Sequence, residues 1–529
     1  MLWKKGWFRT ISILCIATLL TGAFSGCSGK TSQSSTGEQS TKNSSLAGQS
    51  TPVSFSWIVT YSGEQPSDNN SVIQELEKKT NTKISIQWTP MISYGDKYNV
   101  LLSSGQLPDV FLVTDLKSSA YLDAVEGNQF WDLTSYLSDS SEFPNFKNFN
   151  SVTLKNTQTD GKNYILPRER VIKRRMVCWR ADWAKKAGLD APDTIDKLYK
   201  MAKTFAAGDF DGNGKKDTIG LLLGTVSDGG GQTIDCLPEL TVANGSLNTW
   251  GVRDGKVVSY VTTPEYMNTI KLLRNMHSEG IISDDFAITK TTSQVSEYID
   301  KERAGLWLTY TIPGLQDPLY ISKKKNDPNL KRSDLYGYTF MKNSSGQPRI
   351  PAETGFNCGY AISKTSVKDE AKLKQILKVM DYVCSTEGQN LVSLGINEKH
   401  FQKTGDTTAK VLNKDLFSAE VDAKTNQMSM AGGQIYDIVD DSLGEQLAKD
   451  RKQYATSDLI SDASIPLISQ TYATKNTSLN KGYDTALFKY ILGQTNDSDF
   501  KAAIQQWKTD GGDQIAKEYT EAYQKTQSK

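Results

Sequence analysis

Hydrophobic and polar positions beyond residue 52 switch between the two-residue period of strands and the longer period of helices. Strand and helix patterns alternate, with strands predicted at 53–61, 83–88 and 110–114 and helices predicted at 71–80 and 94–104. Because alternating strands and helices form parallel sheets covered by helices, this pattern predicts an α/β fold. Ligands of such sheets bind beyond the carboxyl ends of the strands, so Tyr61 and Asp115 are candidate binding residues.

The middle of the chain changes character several times. A β-branched and aromatic run at 171–179 predicts a strand, and a short helical pattern at 182–187 is expected to end at Gly188. A second helix begins after an N-cap at Asp193 or Thr194, because an amphipathic pattern follows directly. A loop rich in oxygen ligands comes after this helix.

That loop, DFDGNGKKD at 209–217, has the alternating spacing with which calcium loops point oxygen atoms at one centre. The candidate ligands are Asp209, Asp211, Asn213, the main-chain carbonyl of Lys215, and Asp217. Gly214 lies where the sharp turn needs glycine, but Gly220 stands where a complete EF-hand carries a bidentate Glu. The loop therefore predicts a structural calcium site with one ligand from elsewhere, and the alternative is a polar loop without metal.

The first 27 residues have the pattern of a targeting segment. Basic residues precede an apolar run at 11–24 that is too short to span a bilayer comfortably, and Ser25-Gly26-Cys27 follows it. This ending resembles a bacterial lipoprotein signal, which would make Cys27 the lipidated first residue of the mature chain. The alternative is an ordinary cleaved signal with an incidental cysteine. Residues 28–51 are almost entirely small and polar, which predicts a flexible tether.

Composition narrows the function classes. Of the 529 residues, 61 are Lys or Arg and 60 are Asp or Glu, so nothing indicates a nucleic-acid partner. The mature chain is long enough for two ordinary domains. Its four cysteines are Cys178, Cys236, Cys358 and Cys384. Their spacing matches no metal motif, and the sequence leaves open whether any two form a disulfide.

The sequence offers no catalytic centre. Only two histidines occur, His277 and His400, and neither belongs to a nucleophile or metal motif. The signatures of serine hydrolases, zinc proteases, P-loops and dinucleotide-binding domains are absent. Adjacent carboxylates such as Asp284-Asp285 do not face each other on a helix, so they do not suggest a glycosidase pair. The chain is predicted not to be an enzyme, with a secreted glycan hydrolase or lyase as the alternative.

Several segments are similar to one protein family, in that family's order along nearly the whole mature chain. They are SSGQLPDVFLV, YILPRE, WRADWAKKAGLDAPDTIDKLYKMAKTF, NMHSEGIISDDF, GYAISKTSVKDEAKLKQILKVMDYVCSTEG and WKTDGGDQIAKEYTEAY. Together they resemble extracellular solute-binding proteins of the family 1 type, the ligand-capturing lipoproteins of ABC importers, mostly for sugars. The calcium-like loop stands at the same place in the oligosaccharide-binding branch that includes the alginate-binding proteins.

This resemblance implies a two-lobe, periplasmic-binding-protein-like α/β fold with several hinge crossings and a helix-rich second lobe. The implied segments are a signal at 1–27, a tether at 28–51, the first lobe at 52–167 and 308–360, and the second lobe at 168–307 and 361–529. The implied function is capture of an oligosaccharide between closing lobes and its delivery to the permease subunits, and through them the ATPase, of an ABC importer. The protein would be a monomer, lipid-anchored on the extracytoplasmic face of the cell membrane. A surface adhesion or signalling lipoprotein of the same fold is the other alternative.

Aromatic residues are the expected sugar contacts, because their faces stack on the CH faces of pyranose rings. Trp307 and Tyr310 are favoured, since the resemblance places the return through the hinge at these positions. The further candidates are Tyr61, Trp88, Trp250 and Tyr360. Trp131, Trp183 and Trp507 lie on amphipathic patterns and are expected to pack in the core.

A run of basic residues crowds the first expected hinge crossing, around 168–175. The hypothesis is that Arg168, with Lys173 or Arg175, binds a carboxylate or sulfate on an acidic sugar, since Arg forks bind such groups bidentately. In an extended run Lys173 and Arg175 point to one side and Arg174 to the other. The alternative is a solvated basic strand edge that discourages unwanted pairing.

Overall fold

The computed structural model of the protein describes residues 52–228, 231–235, 237–290, 293–314, 317–431, 436–439 and 441–527. The signal with Cys27, the tether and Cys236 lie outside the described residues. The strands are β1 (Val53–Tyr61), β2 (Thr82–Pro90), β3 (Val110–Val113), β4 (Gln158–Thr159), β5 (Lys162–Asn163), β6 (Leu166–Glu169), β7 (Met176–Arg180), β8 (Ile219–Leu222), β9 (Thr225–Asp228), β10 (Gly231–Ile234), β11 (Trp250–Arg253), β12 (Lys256–Ser259), β13 (Ala304–Thr309), β14 (Tyr336–Thr339), β15 (Ile350–Pro351), β16 (Phe356–Ile362), β17 (Phe401–Lys403), β18 (Thr408–Val411), β19 (Asp437–Ile438) and β20 (Leu459–Ile460). The helices are α1 (Ser71–Thr80), α2 (Tyr94–Ser104), α3 (Ser119–Glu126), α4 (Thr134–Ser138), α5 (Ser151–Asn156), α6 (Ala181–Ala187), α7 (Ile195–Ala207), α8 (Leu237–Ala243), α9 (Pro264–Ser278), α10 (Ser293–Asp300), α11 (Pro318–Asn326), α12 (Arg332–Leu335), α13 (Glu370–Val383), α14 (Thr386–Leu394), α15 (Lys414–Glu420), α16 (Ser442–Lys452), α17 (Gln470–Ile491), α18 (Asp497–Trp507) and α19 (Asp513–Gln527).

The first sheet contains five strands in the order β2–β1–β3–β16–β6. β1 runs parallel to β2 along its whole length, from Val53 opposite Thr82 to Tyr61 opposite Pro90, and β3 is parallel to β1. β16 is antiparallel to both β3 and β6. The predicted parallel unit is therefore confirmed, and a strand from much later in the chain completes the sheet. We call this sheet and the elements packed on it the first lobe.

The second sheet contains four strands in the order β14–β7–β13–β8. β7 is antiparallel to β13 and β14, whereas β13 and β8 are parallel. One face packs against α7, α9 and the C-terminal helices α17 to α19, and the other against α11, α12 and α16. This sheet with its helices is the second lobe, which is helix-rich as expected. None of the described helices is long and apolar enough to cross a membrane.

Two connections between the lobes lie wholly within the described residues, the first from β6 to β7 and the second from β14 to β16. The chain also leads from β19 to α16 of the second lobe. β15 lies within the second connection and pairs with β20, a short strand that follows α16, with Ile350 opposite Leu459 and Pro351 opposite Ile460. The Asn248 side chain of the second lobe ties this pair further by donating hydrogen bonds to the carbonyls of Ala352 and Ile460, at 2.9 and 2.8 Å.

The later segments join other sheets than the resemblance implied. The lobe boundaries implied by the resemblance placed residues 308–360 in the first lobe, but β14, within this range, pairs with β7 in the second sheet. Gly337 of β14 lies so close to the Trp179 ring of β7 that a Cβ there would be 2.4 Å from it, which suits glycine at this edge. Conversely, α13 and α14 were placed in the second lobe, yet their apolar faces, including Leu377 and Val392, pack in the first-lobe core. Their amphipathic stripes are correct, but periodicity does not specify which sheet a helix covers.

Local signals in the middle of the chain are largely confirmed. Thr194 is the N-cap of α7, accepting a hydrogen bond from the main-chain N–H of Lys197, and Gly188 ends α6 in the left-handed conformation. The strand predicted at 171–179 begins only at Met176, because the preceding residues form the connection from β6. Among the described cysteines, Cys178, Cys358 and Cys384 are buried free thiols.

Candidate ligand-binding site

A cavity with a volume of about 380 Å³ lies where the two lobes face each other. The first lobe contributes the loop that follows β3 and the start of β16. The second lobe contributes β11, β12 and the helices α17 to α19. The lining residues are Thr114, Asp115, Leu116, Lys117, Thr233, Thr249, Trp250, Ser259, Tyr260, Val261, Thr354, Phe356, Asn357, Asp462, Ser464, Ile465, Tyr472, Asn476, Asn480, Tyr483, Asp484, Trp507 and Ile515. This is the position that the parallel strands of the first sheet predict, beyond their carboxyl ends.

Lys117 reaches from the first lobe across the cavity to the second. Its ammonium donates hydrogen bonds to the Ser464 carbonyl at 2.8 Å, the Ser464 hydroxyl at 3.3 Å and the Tyr519 hydroxyl at 3.2 Å. The same nitrogen lies 5.1 Å from the centroid of the Tyr472 ring and 4.9 Å from that of Tyr519. Burial of this ammonium lowers the pKa of Lys117 to about 8, although Asp462 and Asp115 oppose the shift.

Carboxylates supply most of the charge on the described cavity wall. Asp115, Asp462 and Asp484 line it, against the single cation Lys117. Asp115 accepts a hydrogen bond from the main-chain N–H of Lys117 at 2.8 Å, and Asp462 accepts one from Ser464 at 2.8 Å. Burial raises the pKa of the Asp462 carboxyl, while Lys117 acts in the opposite direction. Such groups, with the amides of α17, can exchange hydrogen bonds with sugar hydroxyls.

Aromatic rings form the second-lobe side of the cavity. Trp250 is only 5% exposed, and its ring meets Tyr519 edge to face with centroids 5.2 Å apart and Trp507 at 6.1 Å. Tyr472 lies beside Tyr519 at 6.0 Å. These side chains are held by packing among themselves, which offers a rigid surface for stacking against a sugar ring. Trp507, predicted to be a packing residue, also lines the cavity.

Two of the predicted binding residues, Asp115 and Trp250, line the cavity, and the structure places three others in or beside the first-lobe core. The Tyr61 hydroxyl donates to Gln65 at 3.4 Å, and Trp88 is half-buried against that core. Tyr360 is fully buried, donates to the Gln427 carbonyl at 2.9 Å, and packs edge to face on a neighbouring tryptophan. These three residues lie near the carboxyl ends of their strands, but none of them lines the cavity.

Trp307 and Tyr310 have different surroundings from those expected. Trp307 is 1% exposed and packs edge to face on Tyr336, because β13 is an interior strand of the second sheet and not a hinge segment. Tyr310 follows β13 and donates a hydrogen bond to Asp235 at 3.2 Å. Its ring lies 4.9 Å from the guanidinium carbon of Arg174 and 5.1 Å from that of Arg175.

The basic residues of the acidic-sugar hypothesis are held by the protein itself. Arg168 is 2% exposed and donates to the Gln427 side chain at 2.8 Å and to the Asn426 carbonyl at 3.1 Å. Lys173 donates to the carbonyls of Asp450 and Gln453.

The third of these residues, Arg175, forms ion pairs with Glu353 and Glu239. None of the three lines the cavity, because partners within the protein hold their charged groups. Their positions in the sequence do not show these partners.

Several cavity residues were missed, and Lys117 is the most informative. It lies only two residues beyond the predicted Asp115, so the rule on strand ends could have included it. Tyr472 and Asn476 gave no such signal, because α17 is a long helix with a weakly amphipathic pattern. Which of its residues meet the cavity depends on how α17 packs against the first lobe.

The loop at 209–217 is organised by hydrogen bonds among its predicted ligands. The Asn213 amide donates to Asp211 at 2.8 Å and to Asp217 at 2.9 Å, and Asp209 accepts from the Gly214 N–H at 3.0 Å. The Lys215 N–H donates to the Asn213 side chain at 2.8 Å.

One oxygen of this loop, the Asp209 Oδ1 atom, is buried without a hydrogen-bond donor, which fits a loop that can accept a cation. In the described part of the chain, no three His, Cys, Asp or Glu side chains converge closely enough to hold a metal ion.

A family model described as bacterial extracellular solute-binding protein matches residues 62–390, which is more than half of the chain. The protein belongs to this family, and the expected resemblance is confirmed. Among individual proteins, it is 29% identical over 517 residues to the polygalacturonan/rhamnogalacturonan-binding protein YtcQ of Bacillus subtilis (strain 168). That similarity covers 97% of this chain and 98% of the relative.

Solved structures share the fold. A solute-binding protein from Bifidobacterium longum infantis, described as an HMO-binding, ABC-transporter-associated protein, has a TM-score of 0.68 at 17% identity. The similarity covers 89% of this chain and 98% of that one. The FusA substrate-binding protein of Streptococcus pneumoniae, as an EF-hand mutant with fructo-nystose, has a TM-score of 0.60 at 18% identity, over 90% of this chain and 99% of that one. These similarities confirm the two-lobe α/β fold.

Proposed function

We propose that this protein captures an oligosaccharide in the cavity between its lobes and delivers it to the permease of an ABC importer. The observation that carries the proposal is the composition of the cavity wall, where the rings of Trp250 and Tyr472 lie beside Asp115 and Lys117. Aromatic faces with a few polar groups between them are the usual surroundings of a bound sugar. The relatives and structural neighbours described as binding saccharides support the same ligand class.

The protein would work outside the cytoplasmic membrane. Cys27 would carry the lipid that anchors it to the extracytoplasmic face, with residues 28–51 as tether, and the partners would be permease subunits and, through them, an ATPase. A monomer is sufficient, because both walls of the cavity come from one chain. Binding without catalysis agrees with a family of solute-binding proteins.

A structural calcium ion is the second part of the proposal. Asp209, Asp211, Asn213 and Asp217 would supply side-chain oxygens and Lys215 its carbonyl, and the ion would brace the connection from α7 to β8. The buried, donor-free oxygen of Asp209 and the EF-hand reported in the FusA neighbour support this assignment. The ion would have no contact with the ligand, since the loop contributes no residue to the cavity lining.

Calorimetry with a panel of neutral and acidic oligosaccharides tests the main proposal. A ligand that binds wild type should bind Trp250→Ala about tenfold or more weakly, because loss of a stacking surface worth about 1.4 kcal/mol has that effect. The exposed Tyr454 provides the control, and Tyr454→Ala should bind as wild type does. Thermal unfolding of both variants shows whether they are folded. Binding of no oligosaccharide by folded wild type, or release of reducing ends from a polysaccharide, would contradict the proposal.

A further inference from the structure

Four arginines near the connections between the lobes have no acidic partner among the residues that the structure describes. They are Arg168, Arg170, Arg174 and Arg451, and we call them the arginine cluster. Within the described chain, arginine ion pairs are formed by Arg175, Arg180, Arg253 and Arg332, and by none of these four. An unpaired guanidinium is ordinary on an open surface, but these side chains are buried or partly buried.

The four charges lie close enough to disfavour one another. Burial and then the neighbouring Arg168 lower the pKa of Arg170 to about 10, and Arg174 contributes to the same shift. Burial and then Arg174 lower the pKa of Arg451 to about 10. Arg451 also donates to the Tyr310 carbonyl, beside the ring on which Arg174 lies. Arg174 therefore interacts with both Arg170 and Arg451, and Tyr310 contacts Arg174 and Arg451.

Two N–H groups of the cluster are buried without an acceptor. They are the Nε atoms of Arg168 and Arg451, neither of which has a hydrogen-bond partner among the described residues. Buried donors are nearly always paired in folded proteins, and those on charged groups are the most costly to leave unpaired. Unsatisfied donors together with unpaired charge indicate that an anion completes this cluster.

Among the described residues, none of the neighbouring carboxylates forms an ion pair with the four arginines of the cluster. Glu353 and Glu239 are engaged by Arg175, and burial raises the pKa of Glu239 to about 8. Asp450 accepts hydrogen bonds from Tyr338 and Gln446, and Glu169 accepts one from the Asn150 N–H. Asp235 accepts one from Tyr310.

The cluster adjoins the ligand cavity. The main-chain N–H of Arg170 donates to the Gly355 carbonyl at 2.8 Å, and the two residues after Gly355, Phe356 and Asn357, line the cavity. On the other lobe, Tyr310 connects the cluster to Asp235, which lies two residues from the cavity residue Thr233. A saccharide long enough to extend beyond the cavity at this end would reach the arginines.

We propose that Arg170, Arg174 and Arg451 bind a carboxylate of an acidic oligosaccharide whose other rings occupy the cavity. This inference rests on the proposed function and narrows its substrate class to saccharides that carry uronate groups. Guanidinium groups bind carboxylates through paired, charge-assisted hydrogen bonds, and partial burial protects such pairs from screening by salt. Arg168 is a neighbour of Arg170 and is itself held by a hydrogen bond to Gln427.

A matched set of ligands tests this inference by calorimetry. The probes are a galacturonate trisaccharide, the same trisaccharide with its carboxylates as methyl esters, and a neutral galactose trisaccharide. Wild type should bind the acid about tenfold or more tightly than the ester, the effect of one well-placed charged contact. Arg174→Gln should lose that preference. Its affinity for the acid should fall by about tenfold, while its affinity for the ester should stay within about twofold of that of wild type.

Arg303 provides the matched control, because its guanidinium carbon lies 5.3 Å from the Tyr298 ring centroid, away from the cavity. Arg303→Gln should preserve the preference for the acid, and Arg174→Lys should retain part of it. Arg451→Gln repeats the test at the arginine that α16 contributes. Unfolding midpoints of all variants show that they are folded.

The outcomes separate the two proposals. Equal affinities of wild type for acid and ester, or equal losses for both in Arg174→Gln, would overturn the acidic-ligand site and leave oligosaccharide capture in place. Binding of none of the saccharides in any panel would overturn both. If inorganic sulfate or phosphate stabilises wild type but not Arg174→Gln, and the acidic saccharide does not displace it, the cluster is a site for a free anion and the inference is wrong.

Discussion

Lys117 belongs to the first lobe but makes its polar contacts with the second. Its partners Ser464 and Tyr519 lie hundreds of residues further along the chain. The ammonium is enclosed by two aromatic rings, so ring faces and hydroxyls take the place of water around it, and burial on balance disfavours its charged form. At this scale the cavity depends on single side chains whose neighbours are set by how the lobes approach each other.

The depressed pKa of Lys117 predicts how stability depends on pH. Its pKa of about 8 lies below the ordinary value near 10.5, so between these pH values the unfolded chain binds more protons than the folded protein. The free energy of unfolding should therefore rise with pH in this window, by about 1 kcal/mol or more relative to Lys117→Met, which cannot titrate.

Urea unfolding at about pH 7.5 and pH 9.5 measures this difference. Lys489→Met, at an exposed position on α17, should follow wild type. The same pH dependence in wild type and Lys117→Met would show that the ammonium is solvated in the folded protein.

At the scale of elements, the loop between α7 and β8 is attached to the second-lobe core by Phe210. Its ring lies 5.1 Å from Phe205 and 5.7 Å from Trp183. Gly212 and Gly214 take the left-handed conformation, which turns the chain sharply and brings the candidate ligands to one side. A cation bound here would link two elements of the lobe, so its effect should appear in stability.

Calcium should raise the unfolding midpoint of wild type, and a chelator should lower it. A ligand at 100 times its Kd stabilises the folded state by about 2.7 kcal/mol, which sets the scale of the effect. Asp211→Ala should unfold at a lower temperature in calcium and lose the response to chelator. Asp406→Ala, at an exposed position outside this loop, should keep the response. Identical midpoints for calcium-loaded and calcium-free wild type in differential scanning calorimetry would contradict a structural calcium ion.

At the scale of the whole molecule, one chain builds both lobes by passing between them repeatedly. Strands distant in sequence pair within each lobe, as β3 does with β16 and β7 with β14. β15, in the connection from β14 to β16, pairs with β20, so these two strands are expected to move together if the lobes open. Both walls of the cavity therefore come from one chain, and the proposed attachment to the membrane would depend on Cys27.

Cys27→Ser should move the mature protein from the detergent phase to the aqueous phase in detergent partitioning, because the lipid would be lost. Cys15→Ser provides the control, since Cys15 lies inside the apolar run of the signal and should not affect lipidation. The physical reason is that a lipid chain carries about 0.8 kcal/mol of membrane affinity per buried CH₂ group. Detergent partitioning of Cys27→Ser equal to that of wild type would show that Cys27 is not the anchor.

The sequence by itself determined the elements and the family. The predicted bounds of β1, α1 and α2 agree with the structure, because apolar period and capping residues such as Asn70 and Gly105 act within a few residues of each other. The calcium-like loop and the segments similar to the family could also be recognised from the sequence, because each is a contiguous stretch of the chain. Asp115 and Trp250 were recognised from strand position and ring chemistry.

Only the tertiary structure decided which lobe each later segment joins and which side chains meet. α13 and β14 have clear local patterns, but a pattern does not tell which core will bury it. Arg174 and Arg175 are adjacent in the same basic run, yet Arg175 is paired with Glu353 and Arg174 forms no ion pair in the described part of the chain. Those partners come from distant parts of the chain, and their distances are set by packing between elements, which local periodicity does not encode.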